Sequence, residues 1–289
     1  VLSVIIPCRN ERNYIRGCLD AISAQAGLPA DHGIEVIVAA NGCRDRTVQV
    51  ARECREGFAG NGFDLKVLDI PEPGKVGALN QAESVACFGN RVFVDADVIL
   101  CSGVLAELAR LLDADTPVYA SATVTIPTPR SLFSRAYARV WSNLPFVREG
   151  VPGIGLYAVN AMARCRWDDF PPIHSDDRFV RLNFAPHERH KAEARYCWPL
   201  PEGLFNLIRV RRRWTEGNRE LVRKFPDLIA NDSERNNTVS NLATLMATPM
   251  ASTVFVGVYL ASEFLARLPR RHASFHWQRG RAIRVSSRL

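Results

Sequence analysis

The chain has 289 residues, 47% of them hydrophobic, and a formal net charge of +7. That is enough apolar material for a large core, in one domain with additions or in two. Eight scattered cysteines with no Cys-x-x-Cys pair argue against a disulfide frame or a zinc site, and for reduced thiols in a cytosolic compartment.

In chain order, residues 3–7 read as an apolar strand, so no secretory leader is expected ahead of Leu2-Ser3-Val4-Ile5-Ile6. Residues 13–25 are amphipathic, with Ile15, Leu19 and Ile22 on one face. Residues 34–39 form the second strand. Asn41-Gly42 turns the chain, and Asp45 caps a helix that runs through Cys54. Residues 65–70 are the third strand, followed by the loop Pro71-Glu72-Pro73-Gly74 and a helix over 75–88. Residues 92–94 are the fourth strand. Repeated strand–helix units predict a mostly parallel sheet with helices on both faces. Ligands of such sheets bind beyond the carboxyl ends of the strands.

The fourth strand runs straight into Asp95-Ala96-Asp97. Period-2 geometry would send both carboxylates to one side. Two like charges there repel each other and lose hydration; a divalent cation shared with a polyphosphate relieves both penalties. An isolated Asp-x-Asp is more often a polar strand end, so its partners along the chain decide the matter.

The second half is less regular. Helices are expected at 102–112, 131–141, 175–182 and 202–225, and strands at 118–126, 156–159 and 194–200. Gly153-Ile154-Gly155 lacks the strand-turn-helix setting of a dinucleotide site. Residues 238–262 carry no charge and are interrupted by Pro249. A full span, an interfacial or re-entrant helix, and a buried helix all fit that length. A lone span would put a basic tail and a cytosolic globular part on opposite sides, so a helix lying in or dipping into the interface is expected. After Glu263 there is no acid and there are seven arginines (Arg267, Arg270, Arg271, Arg279, Arg281, Arg284, Arg288), so the remainder is about neutral. The tail therefore expects a local anionic partner, a phospholipid surface rather than nucleic acid.

Taken in order, Ile5-Ile6-Pro7-Cys8-Arg9-Asn10-Glu11, Asn41-Gly42-Cys43-Arg44-Asp45, Gly74-Lys75-Val76-Gly77-Ala78-Leu79-Asn80, Asp95-Ala96-Asp97, Ser175-Asp176-Asp177-Arg178 and Arg213-Trp214 resemble a family 2 glycosyltransferase of inverting type. The resemblance covers roughly residues 1–225 and implies a GT-A fold: a Rossmann-like, mostly parallel α/β sheet flanked by helices, with a C-terminal helical extension. It divides the chain into a nucleotide-sugar-binding half (1–100), an acceptor-binding and catalytic half (101–230) and a C-terminal helix with a basic tail (231–289). The implied activity is transfer of a sugar from a nucleotide-diphosphate donor to a carbohydrate or lipid-linked acceptor, at the inner face of the cell membrane, in polysaccharide, glycolipid or envelope synthesis.

By the same resemblance Pro7, Asn10, Glu11 and Asn41 line the nucleotide pocket, and Lys75 reaches the diphosphate or the base, with Asn80 supporting its loop. Asp95 holds ribose or metal, and Asp97 ligates Mg²⁺ or Mn²⁺. Asp177 matches the second acid of the family's acidic pair and is the expected base for the acceptor hydroxyl; Asp176 is structural. Arg213, with Arg212 or Arg209 nearby, neutralises the leaving group, and Trp214 offers its face to a sugar ring. Leu207, Trp214 and Leu221 also share helical spacing, so a core role for the tryptophan stays open.

Two positions depart from the family. Ala40 stands where a base-reading Asp is common, and Val210 where polymerising members carry Gln, so processive synthesis is not expected. The rival readings are a sugar nucleotidyltransferase, disfavoured because no Gly-rich loop follows the first strand, and a degenerate membrane-bound scaffold, disfavoured by the intact acids.

Overall fold

The structure, a computed structural model, describes residues 1–28, 33–232 and 238–268, with the side chains of 238–240 left aside. Apolar runs that suit a sheet covered on both sides make its first half. β1 (Leu2–Cys8) and β2 (Ile34–Asn41) are buried at every position. Between them α1 (Ile15–Ser23) turns Ile15, Leu19 and Ile22 inward. α2 (Thr47–Arg52) and α3 (Arg55–Gly60) lead to β3 (Asp64–Ile70), and α4 (Lys75–Ser84) leads to β4 (Arg91–Val94). The helix expected through Cys54 thus ends at Arg52, and α3, beyond Cys54, is an additional element. Asp45 holds the start of α2 by accepting from the Thr47 amide at 3.0 Å.

α4 ends four residues before the pattern predicts. A buried bracket pulls the chain away: the Cys87 amide donates to Glu35, the Ser3 hydroxyl donates to Glu35 at 2.6 Å, and the Phe88 amide donates to Ser3 Oγ at 3.1 Å. These long-range bonds satisfy the backbone where the helix would otherwise have continued.

The remaining elements are β5 (Ile99–Leu100), α5 (Val104–Leu112), β6 (Tyr119–Thr125), α6 (Leu132–Trp141), α7 (Pro145–Arg148), β7 (Leu156–Val159), α8 (Ala161–Arg164), α9 (Asp176–Leu182), β8 (Arg189–Cys197), α10 (Leu204–Lys224), α11 (Thr238–Ala247) and α12 (Pro249–Arg267). Eight strands form one sheet in the order β3-β2-β1-β4-β7-β6-β8-β5. β3, β2, β1 and β4 are mutually parallel; β7 is antiparallel to both β4 and β6. β8 begins at Arg189, five residues before its predicted start, because its first part pairs in parallel with β6 from Tyr119 onward although its outward positions are polar. One face of the sheet packs on α1, α5, α6 and α12, and the other on α4, α9 and the Trp167–Phe170 loop.

The uncharged C-terminal stretch breaks at Thr248, with Pro249 opening α12 where a missing amide proton costs nothing. α12 buries Phe255 and Val258 against α6 and α10, the Phe255 ring lying 4.9 Å from Tyr137. Its outer side is exposed. It is the helix among the described residues long and apolar enough to cross a membrane, with a mean hydropathy of 1.3 and 22% of that window buried. Of the seven C-terminal arginines, Arg267 is described and exposed; the other six lie outside the described residues. All eight cysteines are free thiols: four are buried, while Cys87 and Cys165 are exposed.

Candidate active site

The segments that follow the carboxyl ends of β1, β3 and β4 open onto a cavity of about 520 Å³. Four segments carry most of its charged lining, the loop and first turn of α4 (Pro73 to Gly77), Asp95-Ala96-Asp97, the start of α9 (His174 to Asp177) and the Arg213-Trp214 turn of α10, and Arg9, Glu11, Ile154-Gly155 and the Trp198–Pro201 stretch complete the wall. Parallel strands bring their carboxyl ends to one edge, so the convergence of the first two of the four follows from topology. The other two of the four are brought there by long-range packing.

Asp95 and Asp97 do not sit on the strand. β4 ends at Val94, and both acids lie in the turn that follows, pinned where the Asp95 amide donates to Gly155 O at 2.8 Å and the Val98 amide donates back to Asp95 O at 3.0 Å. Alternation along a strand therefore does not set their direction; the turn does, and both still line the cavity. Gly155 has φ of +71°, and a Cβ there would stand 2.7 Å from the Trp198 ring. The Gly-x-Gly segment thus props the acidic turn rather than cradling a dinucleotide.

Lys75 bridges the two acidic clusters. Its ammonium lies 3.1 Å from Asp95 Oδ1 and 3.0 Å from Asp176 Oδ2. Burial pushes Lys75 down, but Asp176, Asp95 and Asp177 outweigh it and hold the ammonium above the ordinary lysine range. Asp176 is nearly fully buried. Burial, opposed by Lys75 and reinforced by Asp177 and Asp95, lifts its carboxyl to about 6. Burial lowers Arg213, with Asp95, Asp177 and Asp176 opposing. Across the whole lining, Glu11, Asp95, Asp97, Asp176 and Asp177 face Arg9, Lys75 and Arg213. Acids outnumber bases, so the cavity as built favours an additional cation, above all if a diphosphate enters.

The donor chemistry fits Mg²⁺ or Mn²⁺. Magnesium is commonly held by one or two carboxylates together with substrate phosphates rather than by an all-protein cage. Asp97 and Asp95 offer that pair, and the described residues contain no cluster of three or more His, Cys, Asp or Glu able to enclose a metal alone.

Of the residues singled out from sequence, Glu11, Lys75, Asp95, Asp97, Asp177, Arg213 and Trp214 share the cavity. Pro7 lines a small crevice beneath it with Lys75, Asp95 and Asp177. Asn10 and Asn41 are placed otherwise. Asn10, at φ +56°, accepts the Arg44 amide at 2.8 Å. Asn41 is buried; its amide donates to Cys8 O at 3.0 Å and its carbonyl accepts the Gly74 amide at 2.9 Å. Both hold loops, and Asn41 fixes the Pro-Gly-Lys loop without lining the cavity. Asn80 braces the Trp167–Phe170 loop instead, accepting the Phe170 amide at 2.8 Å. Ala40 is fully buried, and Val210 lines the cavity.

Trp214 is both a lining residue and part of the aromatic packing. It faces the cavity and stacks 5.9 Å from Trp198, which in turn lies 5.5 Å from Trp141. Sequence reasoning missed Arg9, Trp198 and His174. His174 Nδ1 lies 2.5 Å from Glu220, a contact spanning 46 residues, and its adjacency to Ser175-Asp176-Asp177 was the available signal. Also missed was the clamp on α9: Asp232 accepts from Arg178 at 2.6 Å and from the buried Arg181 at 3.0 Å.

Residues 3–168 match the profile of glycosyl transferase family 2, and the chain belongs to that family. Among solved structures, the mannosyltransferase PcManGT from Pyrobaculum calidifontis, in complex with GDP-Man and Mn²⁺, aligns with a TM-score of 0.60 at 22% identity, over 93% of this chain and 76% of its own. TarS of S. aureus aligns with a TM-score of 0.52 at 15% identity, over 90% of this chain and 72% of its own. Both likenesses are of fold, and they make the sheet and its flanking helices GT-A. No curated protein sequence matches the chain.

Proposed function

We propose that this glycosyltransferase moves a sugar from a nucleotide-diphosphate donor to an acceptor hydroxyl in one metal-dependent, inverting displacement. The observation that carries the reading is the sharing of one cavity by Asp95, Asp97, Asp177, Lys75 and Arg213. The solved complex of the mannosyltransferase with GDP-Man and Mn²⁺ supports it. Residues 1–100 would seat the donor and 101–230 the acceptor.

Glu11 and the Pro7 crevice receive the nucleoside. Lys75, at the start of α4, meets the diphosphate where helix amides also favour an anion. Asp97, with Asp95, would hold Mg²⁺ or Mn²⁺, which when bound neutralises the phosphates. Asp176 is engaged by Lys75, which leaves Asp177 as the carboxylate to take the acceptor proton while the oxygen attacks the anomeric carbon. Arg213 faces the charge that develops on the departing diphosphate. Trp214 offers its face to the sugar, and no carboxylate at Ala40 reads the base. Reduced thiols and a nucleotide-sugar donor would suit a cytoplasmic enzyme, its 238–262 helices and arginines meeting the inner membrane face, in polysaccharide, glycolipid or envelope synthesis.

The test is a thermal-shift panel of nucleotide diphosphates with and without Mn²⁺, then a donor screen reading diphosphate release and product anomer. Wild type should shift with one nucleotide in the presence of Mn²⁺, and Asp97→Asn should lose the metal-dependent part with its fold intact. No shift with any nucleotide would favour a scaffold, and a product of retained configuration would remove the base assignment.

A further inference from the structure

Three exposed apolar side chains stand beside the cavity where α6 and α10 begin. Leu132 is 73% exposed, Phe133 48% and Phe205 83%. The two helix starts are tied together: Ser134 Oγ donates to Pro201 O at 2.9 Å and accepts the Gly203 amide at 2.9 Å, while Glu202 accepts the amides of Arg130 and Ser131. Pro201 itself lines the cavity with Val210 and Trp214. The exposed side chains do not line the cavity themselves; they stand on helix starts tied to its wall, and so flank its rim. Next to them α12 packs on both helices and leaves Met250 (88% exposed), Leu260 (59%) and Phe264 (64%) bare. A soluble surface carries such residues singly; grouped on adjoining helices they mark a contact surface.

Charge says what covers it. The exposed charged side chains on these helices near the apolar ones are Arg130, Arg135 and Arg139 at α6, Arg209 on α10 and Arg267 on α12. No acid occurs between Arg130 and Leu144, and no charge between Thr238 and Ser262. Glu263 is occupied by Arg219 at 2.6 Å and Thr215 at 3.0 Å. A second copy meeting this face would set arginine against arginine, and so would the arginine-rich tail. An anionic lipid surface complements both components, with apolar rings in the headgroup–acyl boundary and guanidinium groups on phosphates.

We propose that the starts of α6 and α10, together with α12, seat on an anionic bilayer and place the cavity rim at its surface, within reach of an acceptor hydroxyl borne by a lipid. The acceptor clause rests on the transferase reading above; the seating does not.

The experiment is cosedimentation of the full chain with phosphatidylcholine vesicles, with and without phosphatidylglycerol. Wild type should bind the anionic vesicles and release at high salt. Phe205→Ser and the double variant Leu132→Ser/Phe133→Ser should each lose about tenfold or more in vesicle affinity, the scale of one large apolar side chain left out of the boundary. Met162→Ser and Val85→Ser, also exposed but away from this face, should bind as wild type does. Retained melting temperatures and retained Mn²⁺-dependent nucleotide shifts show that the variants are folded. Full vesicle binding by the rim variants, with loss only in Phe264→Ser, would overturn the placement of the rim. A wild-type dimer dissociated by Phe205→Ser, without vesicle binding, would overturn the bilayer as occupant. Failure of the nucleotide shift with vesicle binding intact would count against the transferase reading alone.

Discussion

Replacing Lys75 with methionine removes the ammonium that bridges Asp95 at 3.1 Å and Asp176 at 3.0 Å. At an effective dielectric of about 20, each contact is worth about 5 kcal/mol of gross attraction. Most of that offsets the desolvation of Lys75 and Asp176, and breaking a buried pair costs about 3–5 kcal/mol net. The lysine side chain is 21% exposed, which screens the pair and puts the expected loss near the lower end, about 3 kcal/mol. For a chain of this size that is a fall in Tm of about 6–12 °C.

The loss should depend on pH. Asp176 in the folded chain titrates near 6, above its ordinary range, so it binds a proton before the unfolded chain does. Its charged form thus opposes folding, and its contribution turns favourable as pH falls through about 6 toward 4. Without Lys75 the carboxyl rises further, and each unit of that rise is worth about 1.4 kcal/mol. At pH 8 the variant carries the full penalty; at pH 5 Asp176 is neutral in both proteins and roughly 1 kcal/mol should remain, from the more exposed Asp95 contact. Calorimetric melts of both proteins at pH 5 and pH 8 read this directly. Equal Tm values at pH 8, or the same deficit at both pH values, would refute the bridge as the source of stability.

Asp177→Asn should lower turnover by about 10²–10⁴-fold while keeping the Mn²⁺-dependent nucleotide shift, and wild-type turnover in that variant would end its role as base. Asp232→Ala strands the buried Arg181 and its neighbour Arg178 and should cost about 3 kcal/mol in urea unfolding; an unmoved midpoint would show that the Val151 carbonyl, 3.2 Å from Arg181 Nε, suffices. Gly153→Ala meets two obstacles, φ of +65° and a Cβ 1.7 Å from the Tyr119 hydroxyl, so a loss of about 1–3 kcal/mol is expected. An unchanged melting curve would mean that Tyr119 moves aside without cost.

Much of the fold was legible before any coordinates. The apolar runs of β1, β2 and β4, broken by amphipathic α1, required a sheet covered on both sides, and parallel order then brought Glu11, Lys75 and the Asp95–Asp97 turn to one edge. Local pattern suffices there because burial on both faces writes itself into consecutive residues. It failed where a distant partner decides. α4 stops at Ser84 because Glu35 and Ser3 claim the amides of Cys87 and Phe88. Asp95 and Asp97 point as they do because Gly155 grips the turn, not because a strand alternates. Asn41 looked like a ligand residue and is a bracket, since its partner Gly74 lies 33 residues away. The Asp232 clamp on α9 and the His174–Glu220 contact join segments 46 to 54 residues apart. Composition and periodicity thus determined which layers form and which edge they open; hydrogen bonds closed across long stretches of chain, which no local spacing records, decided where each carboxylate stands.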